Sequence, residues 1–288
     1  VGENRGVTSC FYTPHGTPDG PSDGPVDDPA APGEEGGGQA HAERLLATPA
    51  SAGPWSPDAQ HGGPPAGLLA RAVERLPAAA DRVVGRFTME LLGPVPVGPL
   101  VCSARLERPG RTVAMAAAVL HDPVAGRDVA SARTWLFPRG TGPGEVGPAP
   151  GHGPASGVRR ELPEGWLGGY LDAVDWRWVR GSIGQPGPGV VWMRPPHLVE
   201  GEETSPVARL LTCVDSASGA SSMLDMREWG FLNTELTVHV LREPVGEWVC
   251  LDAETHLGPG SVGVAISTAY DELGPVARSS QALLVVPR

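Results

Sequence analysis

At 288 residues and 40% hydrophobic content, the chain suits one large or two modest domains with a substantial core. Its formal net charge is −11, and all 22 basic residues are arginine. The lack of lysine excludes Schiff-base chemistry and a phosphate-binding P-loop lysine, and the acidic balance argues against broad nucleic-acid binding.

Residues 1–42 are rich in Gly, Pro and Asp, with Phe11 and Tyr12 as the few apolar anchors. That composition buries too little surface to offset chain entropy, so a disordered tail is predicted. Residues 43–56 suit one short element ending near Trp55. In the run His61-Gly62-Gly63-Pro64-Pro65 through Leu76, Leu69, Val73 and Leu76 recur at helical spacing and Pro77 stops the helix. Prolines are tolerated in a first helical turn, and glycines ahead of them allow close backbone approach. The pair Gly62-Gly63 therefore either presents N–H donors and a positive dipole end to a carbonyl or oxyanion, or is simply a tight turn into the helix.

Four or five strands are predicted over residues 82–137, followed by a Pro/Gly-rich linker over 139–165. Trp166, Trp176, Trp178 and Trp192 then read as buried aromatics of opening strands. Cys10, Cys102, Cys213 and Cys250 show no metal-like or CxxC spacing, so neither a metal nor a cofactor is implied. No apolar run reaches the roughly 18 residues of a membrane helix, and no signal peptide opens the sequence, which makes a cytoplasmic setting the expectation.

A second helix carries the sharpest signal. Val207, Leu210, Leu211 and Val214 form an apolar stripe, and Asp215 sits at its edge. A carboxylate there is partly desolvated and needs compensating hydrogen bonds, unless it merely caps the turn Ser216-Ala-Ser218-Gly219. The last third reads as consecutive antiparallel strands. In the final one, Gln281 shares a face with Ala277, Leu283 and Val285, so its amide needs partners such as an aspartate or a water. Thr255 shares a face with Val249, Leu251 and Ala253, while His256 points the other way unless a bulge exchanges the two.

The sequence also repeats itself. Thr88 aligns with Thr237 and Asp122 with Asp271, each pair 149 residues apart, and Val129 aligns with Val276 at 147. Cys102 and Cys250 fall at equivalent places, where a buried structural role is expected. A period this long means two copies of one unit rather than a solenoid. The counterpart of Gln281 in the first copy is Thr134.

The pattern His61-Gly-Gly-x-x-Ala-x-Leu-Leu, Asp215 after the second helix, Asn233-Thr-Glu-Leu-Thr-Val-His, Arg242-Glu-Pro-x-Gly-Glu-Trp-Val and the terminal Gln281 resembles the acyl-CoA thioesterase II (TesB-like) family. The resemblance covers roughly residues 43–288. It implies an α+β double hotdog, two tandem units each with a long helix wrapped by a curved antiparallel sheet. The units would be 43–138 and 166–288, the second carrying the catalytic acid. It further implies hydrolysis of an acyl-CoA or acyl-carrier thioester by a water activated with an aspartate, a hydroxyl and a glutamine. Asp215 and Gln281 match in place; the hydroxyl falls on Thr255 by strand phase, whereas a gapless match puts His256 there. His61, Gly62 and Gly63 would serve the substrate or its oxyanion. Such a chain needs neither cofactor nor membrane, and could associate as a homo-oligomer of double hotdogs. Two other classes stay open: a tailoring or dehydrating enzyme on the same scaffold, with His61 paired to Asp215, and an acyl-binding protein without turnover.

Overall fold

Runs of alternating apolar and polar residues between Gly/Pro turns become strands of one sheet in the computed structural model, which describes residues 10–16, 41–164, 166 and 168–288. The first half contains β1 (Cys10–Pro14), β2 (His41–Ala47), α1 (Gly63–Glu74), β3 (Arg82–Leu91), β4 (Pro99–Arg108), β5 (Ala114–Asp122) and β6 (Arg127–Pro138). Then follow α2 (Tyr170–Ala173), β7 (Asp175–Arg180), β8 (Gly189–Arg194), β9 (His197–Val199), α3 (Pro206–Val214) and α4 (Ala217–Ala220). The chain ends with β10 (Trp229–Asn233), β11 (Glu235–Val240), β12 (Val249–Leu257), β13 (Val262–Asp271) and β14 (Gly274–Pro287). No helix among the described residues is long and apolar enough to cross a membrane.

The strand order is β7-β8-β12-β13-β14-β11-β3-β6-β5-β4-β2-β1-β9, with β10 also paired to β14. At its centre β11 runs antiparallel to β3, and Thr237 faces Thr88 as its direct partner. These are the residues that the internal repeat aligns, and their hydroxyls lie 3.3 Å apart. Equivalent residues facing each other across an antiparallel seam generate a local two-fold. Outward from it the order is β6-β5-β4-β2 on one side and β14-β13-β12-β8 on the other.

Both longer helices pack on the sheet and against each other: α1 crosses β4, β5 and β6, and α3 lies on β12 and β13. Burial of Leu68, Leu69 and Val73 on α1, and of Leu210, Leu211 and Val214 on α3, is complete. The helices approach where α1 has no side chains. A Cβ at Gly63 would overlap the Thr212 carbonyl oxygen, and one at Gly67 the Thr212 hydroxyl. Ser205 caps α3 by accepting from the Ala208 N–H at 3.1 Å. Beyond the glycines, Arg71 donates to Glu43 at 2.6 Å and to Glu202 at 2.7 and 2.8 Å, tying α1 to β2 and to the turn after β9.

One expectation is corrected here. Part of the tail predicted to be disordered is the ordered strand β1, which pairs antiparallel with β2 and parallel with β9. Local composition fails at this point because Cys10, Phe11 and Tyr12 are three consecutive fully covered apolar residues, and two neighbouring strands satisfy their backbone. Tyr12 adds a hydrogen bond to Gln60 Oε1 at 2.7 Å, and Phe11 stacks on Tyr170. Residues 1–9 and 17–40 of that tail lie outside the described residues. The short element expected over 43–56 is β2 and the turn Pro49–Ser51.

Candidate active site

Asp215 follows the last residue of α3 and is 3% exposed. Among the described residues no arginine pairs with it; its compensation is neutral. Asn233 Nδ2 donates to Oδ1 at 2.7 Å from the end of β10, and Gln281 Nε2 donates to the same oxygen at 3.1 Å from β14. The second Gln281 amide hydrogen serves the Asp215 carbonyl at 3.0 Å, and its Oε1 accepts from the Ser218 N–H at 3.2 Å. Both faces of the glutamine amide are therefore in use, and the strap from sheet to α3–α4 junction is complete. The amide need inferred from the strand phase of Gln281 is met by the acid inferred from the helix stripe.

The other carboxylate oxygen faces the first half of the chain. Asp215 Oδ2 lies 3.2 Å from His61 Nδ1, and the same nitrogen accepts from the Gly63 N–H at 3.0 Å. Burial lowers the His61 pKa, with the neighbouring Asp215 charge opposing. The neutral ring has the lone pair that the Gly63 bond requires. His61 stacks on Tyr170 at 4.0 Å between centroids, and the Tyr170 hydroxyl donates to the Thr212 carbonyl at 2.8 Å. Burial holds that phenol well above its usual pKa, so it stays neutral.

The start of α1 is built around this contact. Pro64 and Pro65 carry no N–H, so the first turn has few donors to satisfy, and His61 takes that of Gly63. Expectation and structure part here: of the two glycine amides read as oxyanion donors, Gly63 is occupied. The Gly62 N–H makes no protein hydrogen bond among the described residues. Gly62 also abuts the acid, since a Cβ there would stand 2.7 Å from Asp215 Oδ2. The positive end of α1 thus meets the carboxylate.

Thr255 and His256 separate cleanly. β12 pairs with β13 without a register shift, so no bulge exchanges their faces. Thr255 is buried, and its hydroxyl lies 2.8 Å from that of Ser221, beyond the end of α4. His256, the rival for that position, is corrected: it points to solvent on the outer face, 3.5 Å from Glu254. Thr255 and Gln281 flank the same β13 residue, Ala265. In the first half Thr134 replaces Gln281, is fully buried, and leaves its hydroxyl unpartnered among the described residues.

A cavity of about 430 Å³ opens on this cluster. His61, Gly62, Asp215, Ser216, Ser218 and Asn233 line it, together with a mostly apolar wall that includes Trp55, Trp166, Trp176 and Phe231. Gln281 and Thr255 stand behind the wall and do not line it. Sequence reasoning missed Asn233 as a site residue, although it opens one of the motifs quoted above; Ser218, Ser221 and Tyr170 carry no comparable signal. No cluster suited to a metal ion occurs among the described residues. A buried carboxylate held by neutral donors beside a neutral imidazole can accept a proton from a water in the cavity.

Two family models match the chain. The one described as acyl-CoA thioesterase N-terminal domain matches residues 51–137, and the one described as acyl-CoA thioesterase C-terminal domain matches residues 148–285. No curated protein matches in sequence. Among solved structures, a candidate thioesterase II from Thermobifida fusca is 20% identical, with TM-score 0.68 over 85% of this chain and 92% of that one. A protein of unknown function with a hot dog fold from Alicyclobacillus acidocaldarius is 16% identical, with TM-score 0.65 over 86% and 94%. The acyl-CoA thioesterase II TesB2 of Mycobacterium marinum is 15% identical, with TM-score 0.58 over 85% and 92%. At such identities the likeness carries the fold, and the fold is the hot dog.

Proposed function

The chain belongs to the acyl-CoA thioesterase family, and from that premise we propose that it hydrolyses acyl thioesters with a water activated by Asp215. The supporting observation is the buried Asp215 carboxylate, whose Oδ1 is held by Asn233 and Gln281 while the residue lines an apolar cavity. Asp215 takes a proton from the water as its oxygen attacks the thioester carbonyl carbon. The Gly62 N–H, at the positive end of α1, supports the tetrahedral oxyanion. Collapse of that intermediate breaks the carbon–sulfur bond, the acid departs, and the proton held by Asp215 passes to the leaving thiolate. Gln281 fixes the carboxylate, and Thr255 acts at one remove by bonding Ser221 behind α4.

On the same reading the fold is a duplicated hot dog: units 43–138 and 166–288 joined by the 139–165 linker. Their repeat-equivalent Thr88 and Thr237 pair at the seam. His61 comes from the first unit and Asp215 from the second, so the site needs both.

Thiol release from acyl-CoA substrates of graded chain length tests the proposal, with Asp215→Asn as the control. Asparagine can still accept from Asn233 and Gln281, so the fold should persist while turnover falls by about 10²–10⁴-fold. Near-wild-type turnover by that variant would remove Asp215 as the base. The His61–Asp215 contact at 3.2 Å also supports a second reading, addition or removal of water at an enoyl thioester. Absorbance of the conjugated enoyl group, with no thiol released, would select it.

A further inference from the structure

Resting on the thioester reading of this cavity, we infer that the acyl group it takes ends in an aromatic ring held one or two carbons from the thioester carbonyl. Aromatic residues make up only 5% of the sequence, yet Trp55, Trp166, Trp176 and Phe231 all line the cavity that contains Asp215. Trp55 is edge-on to Trp166, with centroids 5.1 Å apart at 75°, and edge-on to Phe231, 5.3 Å apart at 89°. The Arg288 guanidinium lies 5.2 Å from the Trp55 ring centroid. Trp176 spends its indole N–H on the Leu171 carbonyl at 2.9 Å, so it offers the wall no unmet donor. Trp55 and Trp166 are not fully covered by protein. Ring surface left facing a cavity beside an acid is surface that an apolar ligand covers.

The spacing sets the length of the acyl group. Phe231 and Asn233 are alternate residues of β10, facing Val285 and Leu283 of β14. Two residues of strand span roughly 7 Å. Asn233 holds the Asp215 carboxylate at 2.7 Å, so from a carbonyl seated at the acid it takes one or two carbons plus the ring itself to fill the span to Phe231. An aryl ring placed there gains edge-to-face contact, worth about two- to tenfold per ring pair over a saturated chain. It also loses fewer rotors on binding than an alkyl chain of equal carbon count.

The test compares phenylacetyl-CoA and 3-phenylpropanoyl-CoA with octanoyl-CoA, on wild type and on Phe231→Leu and Trp55→Leu. The expected result is about tenfold higher kcat/KM for an aryl substrate, with the aryl-to-octanoyl ratio falling about fivefold in either variant. Quenching of tryptophan fluorescence by the same three thioesters reads binding without turnover, because three indoles line the cavity. Octanoyl-CoA turned over as well as the aryl substrates would overturn the aryl inference and leave the thioesterase reading standing. Tight aryl binding without thiol release would do the reverse. Equal binding of all three without thiol release would overturn both.

Discussion

His61 Nδ1 stands 3.2 Å from Asp215 Oδ2 while accepting the Gly63 N–H at 3.0 Å, so one nitrogen faces two groups with opposite needs. Neutral, the ring keeps its bond to Gly63. Protonated, it surrenders that bond and donates to the carboxylate, tying up the proposed base. Burial places the folded His61 pKa below the ordinary value of 6.5, despite the opposing Asp215 charge. Between those two pKa values the unfolded chain binds more protons, so stability rises with pH there and is lost as pH falls below about 6.5. Turnover should decline at lower pH than stability begins to, as the ring titrates through its lowered folded pKa. In His61→Asn, whose Oδ1 can replace Nδ1 as acceptor for Gly63, both declines should move to lower pH. Profiles of kcat/KM and of Tm against pH check this; an unmoved acid limb would assign it to another group.

Gly62 and Gly63 should fail differently when substituted by alanine. At Gly62 the new Cβ meets the Asp215 carboxylate at 2.7–2.9 Å, a side chain that can swing away from its donors. Gly62→Ala should therefore fold, with a cost of about 1 kcal/mol, and lose most of its activity. At Gly63 the obstacle is the Thr212 backbone carbonyl, which cannot rotate aside without moving α3. Gly63→Ala should cost about 2–3 kcal/mol by prying the helices apart. Urea unfolding and thiol release, measured on both, separate the two effects; equal loss of stability would contradict the geometry.

Gln281→Leu should be more damaging than Thr255→Val, and His256→Ala should be silent. Leucine at 281 leaves the Asp215 carbonyl and the Ser218 N–H buried without this partner, at about 1–3 kcal/mol each, and leaves the carboxylate oxygen Oδ1 to Asn233. Valine at 255 removes one hydroxyl contact with Ser221, worth about 1 kcal/mol. His256 is on the outer face, and its pairing with Glu254 is exposed, so alanine there should change stability by less than about 0.5 kcal/mol. Ranking the three by Tm and by kcat tests the assignment of faces on β12.

Much of this arrangement is legible in the sequence because period and phase are local properties. The stripe Val207, Leu210, Leu211, Val214 fixes which side of α3 is covered and leaves Asp215 at its edge. Strand phase likewise turns Gln281 and Thr255 inward and His256 outward. The 149-residue repeat aligns Thr88 with Thr237, and the sheet places these equivalent residues opposite each other. The meeting of His61 with Asp215 is different. They are brought together by the approach of α1 to α3, which depends on Gly63 and Gly67 having no side chains, and periodicity carries no measure of helix separation. Strand β1 is obscured for a related reason. Its partners β2 and β9 come from distant parts of the chain, and composition within a window cannot register them.

The Arg71 cluster should govern stability while sparing the chemistry. Its side chain is 9% exposed and bonds Glu43 and Glu202, whose side chains are 25% and 32% exposed, while Arg75 reaches Glu202 at 2.8 Å. The hydrogen bond from Arg71 is the leading cause holding the Glu202 pKa below the ordinary 4.5. Replacing Arg71 by methionine keeps the stem volume but leaves Glu43 and Glu202 to the more exposed Arg75. A fully buried pair broken this way costs about 3–5 kcal/mol and an exposed one under about 1, so partial exposure here points to about 2 kcal/mol. Tm should fall by roughly 4–8 °C. The contribution of Glu202 is present above pH 4.5 and lost as pH falls through its folded pKa, so the gap between wild type and Arg71→Met should narrow in acid. Because the cluster lies outside the cavity lining, kcat at 25 °C should stay within about twofold of wild type. Melting curves across pH 3–7, read beside thiol release, distinguish this from a role in catalysis: a large drop in kcat with unchanged Tm would contradict it.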